Sequence, residues 1–266
     1  MRILWRNVRL FIEGALLSYI ALFRWLQPHT YLASKIIMPL AQILFFTLMG
    51  IFASGAQNAA FYAVGNAIHI ASVNGIYGVT MSVGGDRWSG ALPYIFGTPA
   101  NRLALFSGRA FFHVLDGMLG VMVGLMWGVL LFGLDLSHTD LGGLALAILI
   151  TTFSTSGLGL LLGCVSLVSI ETMFINNTAY FLLLVFSGAN IPLAAMPAWM
   201  QGVAWGLPLT RGIAAARQLI AGASVPEVAP LLLGEIGLGV LYILLGYTLF
   251  RWFEFQAKRR GTLEAF

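Results

Sequence analysis

The sequence predicts an all-α membrane protein with six transmembrane helices, and three observations predict it. Only 9% of the 266 residues are charged while 59% are apolar, with a mean hydropathy of +0.89. A soluble domain of this size keeps roughly 25% charged residues to cover its surface. Apolar runs near the ~20 residues that cross a bilayer recur along the chain. Lysines and arginines then fall almost entirely on one side of those runs. A single membrane domain over 1–266 is expected, carrying an interfacial helix at 1–30, a cytoplasmic loop at 85–102 and an external re-entrant segment at 191–228.

The first element is MRILWRNVRLFIE. Arg2, Arg6, Arg9 and Glu13 share one helical face, and Leu4, Trp5, Val8, Phe11 and Ile12 spread over the other. That pattern suits a helix lying in the membrane interface rather than a cleavable signal. The expected spans are 36–53, 59–84, 110–134, 141–169, 172–190 and 230–252. Arg2, Arg6, Arg9, Arg24 and Lys35 precede the first span; Arg87, Arg102 and Arg109 lie between the second and third; Arg251, Lys258, Arg259 and Arg260 follow the sixth. An even span count with both termini cytoplasmic puts all of these inside. The opposite loops are uncharged (54–58) or acidic (135–140), and only Arg211 and Arg217 fall elsewhere. They sit in 192–222, which proline and glycine break into pieces too short to span, and whose Trp199 and Trp205 suit headgroup depth.

Several chemistries are excluded. There is no Walker lysine motif, no HExxH and no cysteine pair. The four histidines are scattered, and no Ser/His/Asp set forms a triad. Cys164, alone in an apolar run, excludes an internal disulfide and reads as a packing residue. The chain does not read as an enzyme, so work must be driven by an ion gradient or by a partner.

Polar residues inside spans rarely face lipid. The second span carries Tyr62, Asn66, His69, Tyr77 and Thr80 in one narrow arc, and the fifth carries Asn176, Tyr180, Ser187 and, slightly displaced, Asn190. A substrate path between these spans is favoured over ordinary interhelical hydrogen bonding. Arg109, His113 and Asp116 follow at i, i+4 and i+7; with a single carboxylate, a charge-neutralised anchor is favoured over a proton relay. Glu235 is expected to pair with Arg211 or Arg217 as a structural clamp. Gly120, Gly124 and Gly128 form a small-residue ridge on the third span. In 85–102, Trp88, Leu92 and Phe96 at i, i+4 and i+8 read as the apolar face of one short helix oriented by Asp86 and Arg87. A solvated loop is the other reading.

The segment 186–222 resembles the conserved end of ABC-2 type transporter permeases. Its matching residues are Ser187, Gly188, Pro192, Pro197, Trp199, Pro208, Leu209, Thr210 and Arg217, with Gly206-Leu207 where many members place an Asn before the proline. The stretch Asp86-Arg87-Trp88-Ser89-Gly90-Ala91-Leu92, with Pro99 later, resembles the family's Glu-Arg, Gly-Thr-Leu and proline after span two, with Asp for Glu and Ala for Thr. The resemblance implies that Asp86, Arg87, Trp88, Gly90 and Leu92 belong to a coupling helix that docks on a separate ABC ATPase. It further implies two ATPase copies, a second permease copy or a similar chain, and contact with membrane lipids but not nucleic acid. No cofactor is expected on this chain, since ATP and Mg bind the partner. The expected setting is the bacterial or archaeal cytoplasmic membrane. The expected activity is ATP-driven export of an amphipathic substrate such as a drug, secondary metabolite, lipid or lipid-linked glycan. A self-contained proton-coupled transporter or channel is the alternative, and a non-transporting membrane scaffold is a third reading.

Overall fold

The computed structural model describes residues 2–25, 27–88, 90–98, 101–167 and 171–260. They fold into helices: α1 Arg2–Trp25, α2 Pro28–Ser54, α3 Ala59–Ser72, α4 Val79–Trp88, α5 Leu92–Gly97, α6 Arg102–Phe132, α7 Leu141–Ser166, α8 Thr172–Phe186, α9 Ala198–Gly206, α10 Thr210–Ile220 and α11 Val225–Arg260. A π-helical turn, Val73–Gly78, joins α3 to α4 without a break, so 59–88 is one continuous helical run. Among the described residues, four helices are long and apolar enough to cross a membrane: Pro28–Ser54, Ala104–Phe132, Leu141–Ser166 and Val225–Gln256.

The boundaries follow local chemistry. α2 opens with Pro28 in its first turn, two turns ahead of the expected 36, because a proline there gives up no intrahelical bond. Asn101 and Asp140 cap α6 and α7, accepting the N–H of Ala104 and Gly143. α6 stops at Gly133, whose left-handed φ of 62° lets Leu134 N–H reach Gly128 O and Gly133 N–H reach Val129 O. α8 ends at Phe186, four residues short of the expected 190, and its 15 residues span about 22 Å. α11 begins at Val225 rather than 230, and Pro230 lies within it.

The segment 85–102 departs from expectation. It is not one helix. α4 carries the chain to Trp88, Gly90 turns it at a left-handed φ of 64°, and α5 restarts at Leu92 with Pro93 in its first turn. Trp88 and Leu92 therefore belong to different helices. The side chains of Asp86, Arg87, Trp88, Leu92 and Phe96, together with Ser89 and Pro99, lie outside the described residues.

α7 is the hub, packing on α11, α4, α6, α10 and the π turn, while α3 packs on α6, α2 and α10. Glycine permits the closest approaches. A β-carbon at Gly159 would fall 1.8 Å from Gly75 O in the π turn, and one at Gly124 would fall 2.5 Å from Ile70 Cδ1. The expected ridge on α6 is thus the seat of α3, with Gly120 against Ile70 and Gly128 near Ala63. α1 lies across α6 and meets it backbone to backbone at Gly14 and Gly108, with Phe11 tilted on Phe111. Its Arg6, Arg9 and Glu13 are exposed. Cys164 is buried with Val79, Val83, Phe106 and Phe250.

The outer surface is apolar where a soluble protein's would be charged. Phe52 is 94% exposed, Phe174 68%, Leu233 68% and Leu130 64%. Apolar area on this scale needs a hydrocarbon solvent. Contacts of α1 with α6, and of α6 with α11, gather the N-terminal helix, the loop through α5 and the end of α11 at one end. Twelve of the fourteen lysines and arginines belong to these segments and the helical turns beside them, so this is the basic end. The turns 54–58 and 133–140 and the segment 187–224 lie opposite.

Candidate functional site: a polar seam between α3 and α8

α3 and α8 run antiparallel and meet along polar side chains. Asn66 Nδ2 donates to Asn190 Oδ1 at 2.8 Å, the His69 ring stands edge-on to Tyr180 at 5.0 Å, and Tyr77 O–H donates to Asn177 at 2.6 Å. Gln42 of α2 closes the back of the seam, 3.2 Å from His69 Nδ1. Asn66, His69, Asn176 and Ser187 are fully buried.

The seam is incompletely satisfied. Both side-chain atoms of Asn176, the Ser187 hydroxyl, Asn66 Oδ1 and Asn190 Nδ2 are buried without a hydrogen-bond partner. Each such atom carries a desolvation cost of about 1–3 kcal/mol, so a cluster of them marks a place where something polar belongs. Among the described residues, the only charged side chain at the seam is Arg217, which stands at its end. The atoms offered are amide, hydroxyl and imidazole, which suit a neutral hydrogen-bonding group. A separate cavity of about 400 Å³ lies elsewhere, among α1, α6, α7 and α11, lined by Phe11, Phe111, Phe153 and Ile243.

Not every residue of the expected arc joins the seam. Tyr62 turns to α2, its hydroxyl 3.1 Å from Ser54 Oγ and its ring pressed on Gly50. Thr80 donates to Gly159 O on α7 at 3.2 Å. For Thr80 the reason is the π turn. A wider turn holds an extra residue, and each residue rotates a helix by about 100°, so residues beyond Gly78 leave the phase that an unbroken helix would give them. Sequence periodicity also missed Gln42 and Asn177. The available signal for Gln42 was a lone amide in an otherwise apolar run.

At the opposite end the seam is closed by Arg217 of α10. Its guanidinium donates to Gly188 O at 2.9 Å, Phe61 O at 2.8 Å and Ala189 O at 3.0 Å, and lies 3.5 Å over the Phe61 ring. Beside it, Gly65 allows α3 to approach Ala189, since a β-carbon there would fall 2.4 Å from Ala189 O. The expected pairing of Glu235 with Arg211 or Arg217 is not formed. Glu235 is fully buried and accepts the backbone N–H of Leu209 at 2.8 Å. Leu209 sits at a φ of 79°, a left-handed conformation costly for a leucine, and the carboxylate secures that turn into α10. Arg211 instead donates to Trp205 O at 2.6 Å and faces the Trp205 ring.

In the basic half, Asp116 pairs with Lys35 of α2 at 2.6 Å and also accepts from the Tyr31 hydroxyl; Lys35 donates a second bond to Asn74 in the π turn at 2.8 Å. The anchor therefore joins α2, α6 and the π turn. Arg109 is not its neutralising partner and donates to Ser82 O at 2.9 Å. The His113 ring packs against Gly78 and Phe112. Lys35 escaped notice because charge counting assigned it to the cytoplasmic flank.

An apolar-surfaced helical bundle with a buried polar seam is the architecture of an integral membrane protein. No curated protein matches the chain. A family model described as ABC-2 type transporter matches residues 14–221. The chain belongs to that family, as a transmembrane permease.

Proposed function

We propose that the chain is the permease subunit of an ATP-driven exporter that moves an amphipathic substrate out of the cytoplasm by alternating access. The observation that carries the reading is the α3–α8 seam, where Asn66, Asn176, Ser187 and Asn190 hold buried polar atoms without partners. A substrate's polar group would satisfy those atoms while its apolar body meets the surrounding leucines and aromatics.

In this reading the chain crosses the membrane six times. The four long helices are joined by the continuous run 59–88 and by α8, with both termini cytoplasmic at the basic end. α1 lies in the interface, and α9 and α10 re-enter from the external side. Residues 85–102, with Asp86, Arg87, Trp88, Gly90 and Leu92, dock on a separate ATPase present in two copies, which binds ATP and Mg. Two permeases form the path between them in a bacterial or archaeal cytoplasmic membrane. The chain has no phosphate-binding motif of its own, which supports an external source of energy.

Purification with the candidate ATPase, followed by ATP hydrolysis in lipid vesicles, tests the reading. The complex is expected to assemble and hydrolyse ATP. Joint replacement of Asp86, Arg87 and Trp88 by alanine is expected to abolish permease-dependent assembly or hydrolysis. Assembly and hydrolysis unaffected by that change would remove the coupling assignment.

A further inference from the structure

The loop that carries α5 is tied to the far end of the chain by one buried side chain. Arg102, the first residue of α6, donates from Nη2 to Thr98 O at 2.7 Å and from Nη1 to Thr98 Oγ1 at 3.2 Å. Thr98 ends α5. The same guanidinium lies 3.4 Å from Glu254 Oε1 on α11, and the two side chains are 5% and 4% exposed. Glu254 is also held from its own helix, by Arg251 and Lys258 at 2.8 Å each. One turn further into the bundle, Phe106 packs edge-on to Phe250 at 4.7 Å. α6 and α11 thus meet through side chains that fix the end of α5 against the end of α11.

α11 then runs without a break to Glu235, nineteen positions away and about 28 Å along the axis. No proline interrupts 236–253. Glu235 holds the strained Leu209 turn that starts α10, and α10 carries Arg217 to the mouth of the seam. α11 packs closely on α7: a β-carbon at Gly157 would fall 2.6 Å from Gly239 O, one at Gly246 would fall 3.1 Å from the Leu161 backbone, and the Phe153 ring of α7 sits over Gly239. Shear between packed helices is one of the two common modes of domain motion.

We propose that Arg102 and Glu254 are positioning residues that join the coupling loop to α11, and that α11 carries displacement of the loop to the Glu235–Leu209 turn at the opposite end. The inference rests on the permease reading and adds to it a named route between the ATPase side and the closure of the seam.

The experiment uses the full chain with its ATPase in lipid nanodiscs, nucleotide-free and trapped with ATP and vanadate, and reads hydrogen exchange of the peptide 207–222. In the native complex the trapped state is expected to change exchange in that peptide by about fivefold or more, the lower range of measured site-to-site coupling. Arg102→Gln and Glu254→Gln are expected to abolish this response while the ATPase remains bound. Arg251→Gln, which removes a contact to Glu254 within α11 only, is expected to preserve it. A purely structural role would move the baseline exchange of the variants and leave the nucleotide response in place. A full response in Arg102→Gln and Glu254→Gln with the ATPase bound would overturn the joint while sparing the permease reading. A native chain that retains no ATPase removes both. If Arg102→Gln misfolds, shown by fast alkylation of buried Cys164, Arg102→Lys serves in its place: one ammonium cannot hold Thr98 and Glu254 in the same fork, so a normal response in it overturns the joint.

Discussion

In the half of the bundle opposite the basic end, Arg217 gives its guanidinium to three backbone carbonyls and the Phe61 ring, and Glu235 takes the Leu209 N–H. In the basic half, Asp116 faces Lys35, and Glu254 faces Arg102, Arg251 and Lys258. Both halves bury charge, but Arg217 and Glu235 are answered by backbone dipoles, and Asp116 and Glu254 by opposite charge. The difference has consequences for motion. Carbonyls at a helix end and a turn exist only in one backbone arrangement, so Arg217 ties a particular conformation of 186–192 to α3. An ion pair tolerates rotation and small separation, and can be rebuilt after a shift. The opposite half is thus fastened by shape and the basic half by charge.

The largest effect expected from this comparison is at Lys35. Lys35→Met leaves the Asp116 carboxylate buried without its counter-charge, a change that costs about 3–5 kcal/mol in comparable sites. The double variant Lys35→Met with Asp116→Leu is expected to recover most of the loss, because the orphaned charge goes with its partner. Arg217→Met is expected to cost less, about 2–3 kcal/mol, since it strands neutral carbonyls and no ion. Denaturant midpoints followed by alkylation of Cys164, the chain's single thiol, measure all three. An Arg217→Met variant less stable than Lys35→Met would break the distinction.

The paired glutamates sharpen it. Glu235→Gln keeps an amide oxygen for the Leu209 N–H and is expected to cost under about 1 kcal/mol. Glu254→Gln takes the negative charge from a site shared by three cations, one of them the buried Arg102, and is expected to cost more. The same unfolding assay compares them. Equal losses would show that Glu235 also works through its charge.

How much of this was legible in the sequence depends on whether the signal was local. The apolar runs, the segregation of lysine and arginine, and the glycine ridge on α6 are compositional or periodic, and they carry over to the described helices. The polar seam was visible as arcs at 66 and 69 and at 176, 180 and 187. Thr80 was misplaced, because no feature of Val73–Gly78 except its two glycines announces a π turn. The start of α5 was obscured for a similar reason: Gly90 reads as helix-compatible until its backbone is seen left-handed. Partners distant in sequence were out of reach. Lys35 with Asp116, and Arg102 with Glu254, are 81 and 152 positions apart. Arg217 looked like a charge seeking an acid, since backbone carbonyls carry no letter in a sequence.

The smallest stability effect belongs to the seam between the two halves, where neither device operates. Asn176 is fully buried, and both polar atoms of its side chain lack partners. Replacing an unsatisfied buried amide by an apolar group of similar volume removes a desolvation cost, so Asn176→Leu is expected to leave the unfolding midpoint unchanged or to raise it by up to about 1 kcal/mol. Were Asn176 merely packing, that variant would be as active as the native chain. A residue kept at a stability cost for contact with a substrate behaves otherwise. Asn176→Leu is expected to lower transport in cells by about tenfold or more, which corresponds to roughly 1.4 kcal/mol of lost interaction. Full transport activity in a stabilised Asn176→Leu chain would show that the unsatisfied amide serves neither end.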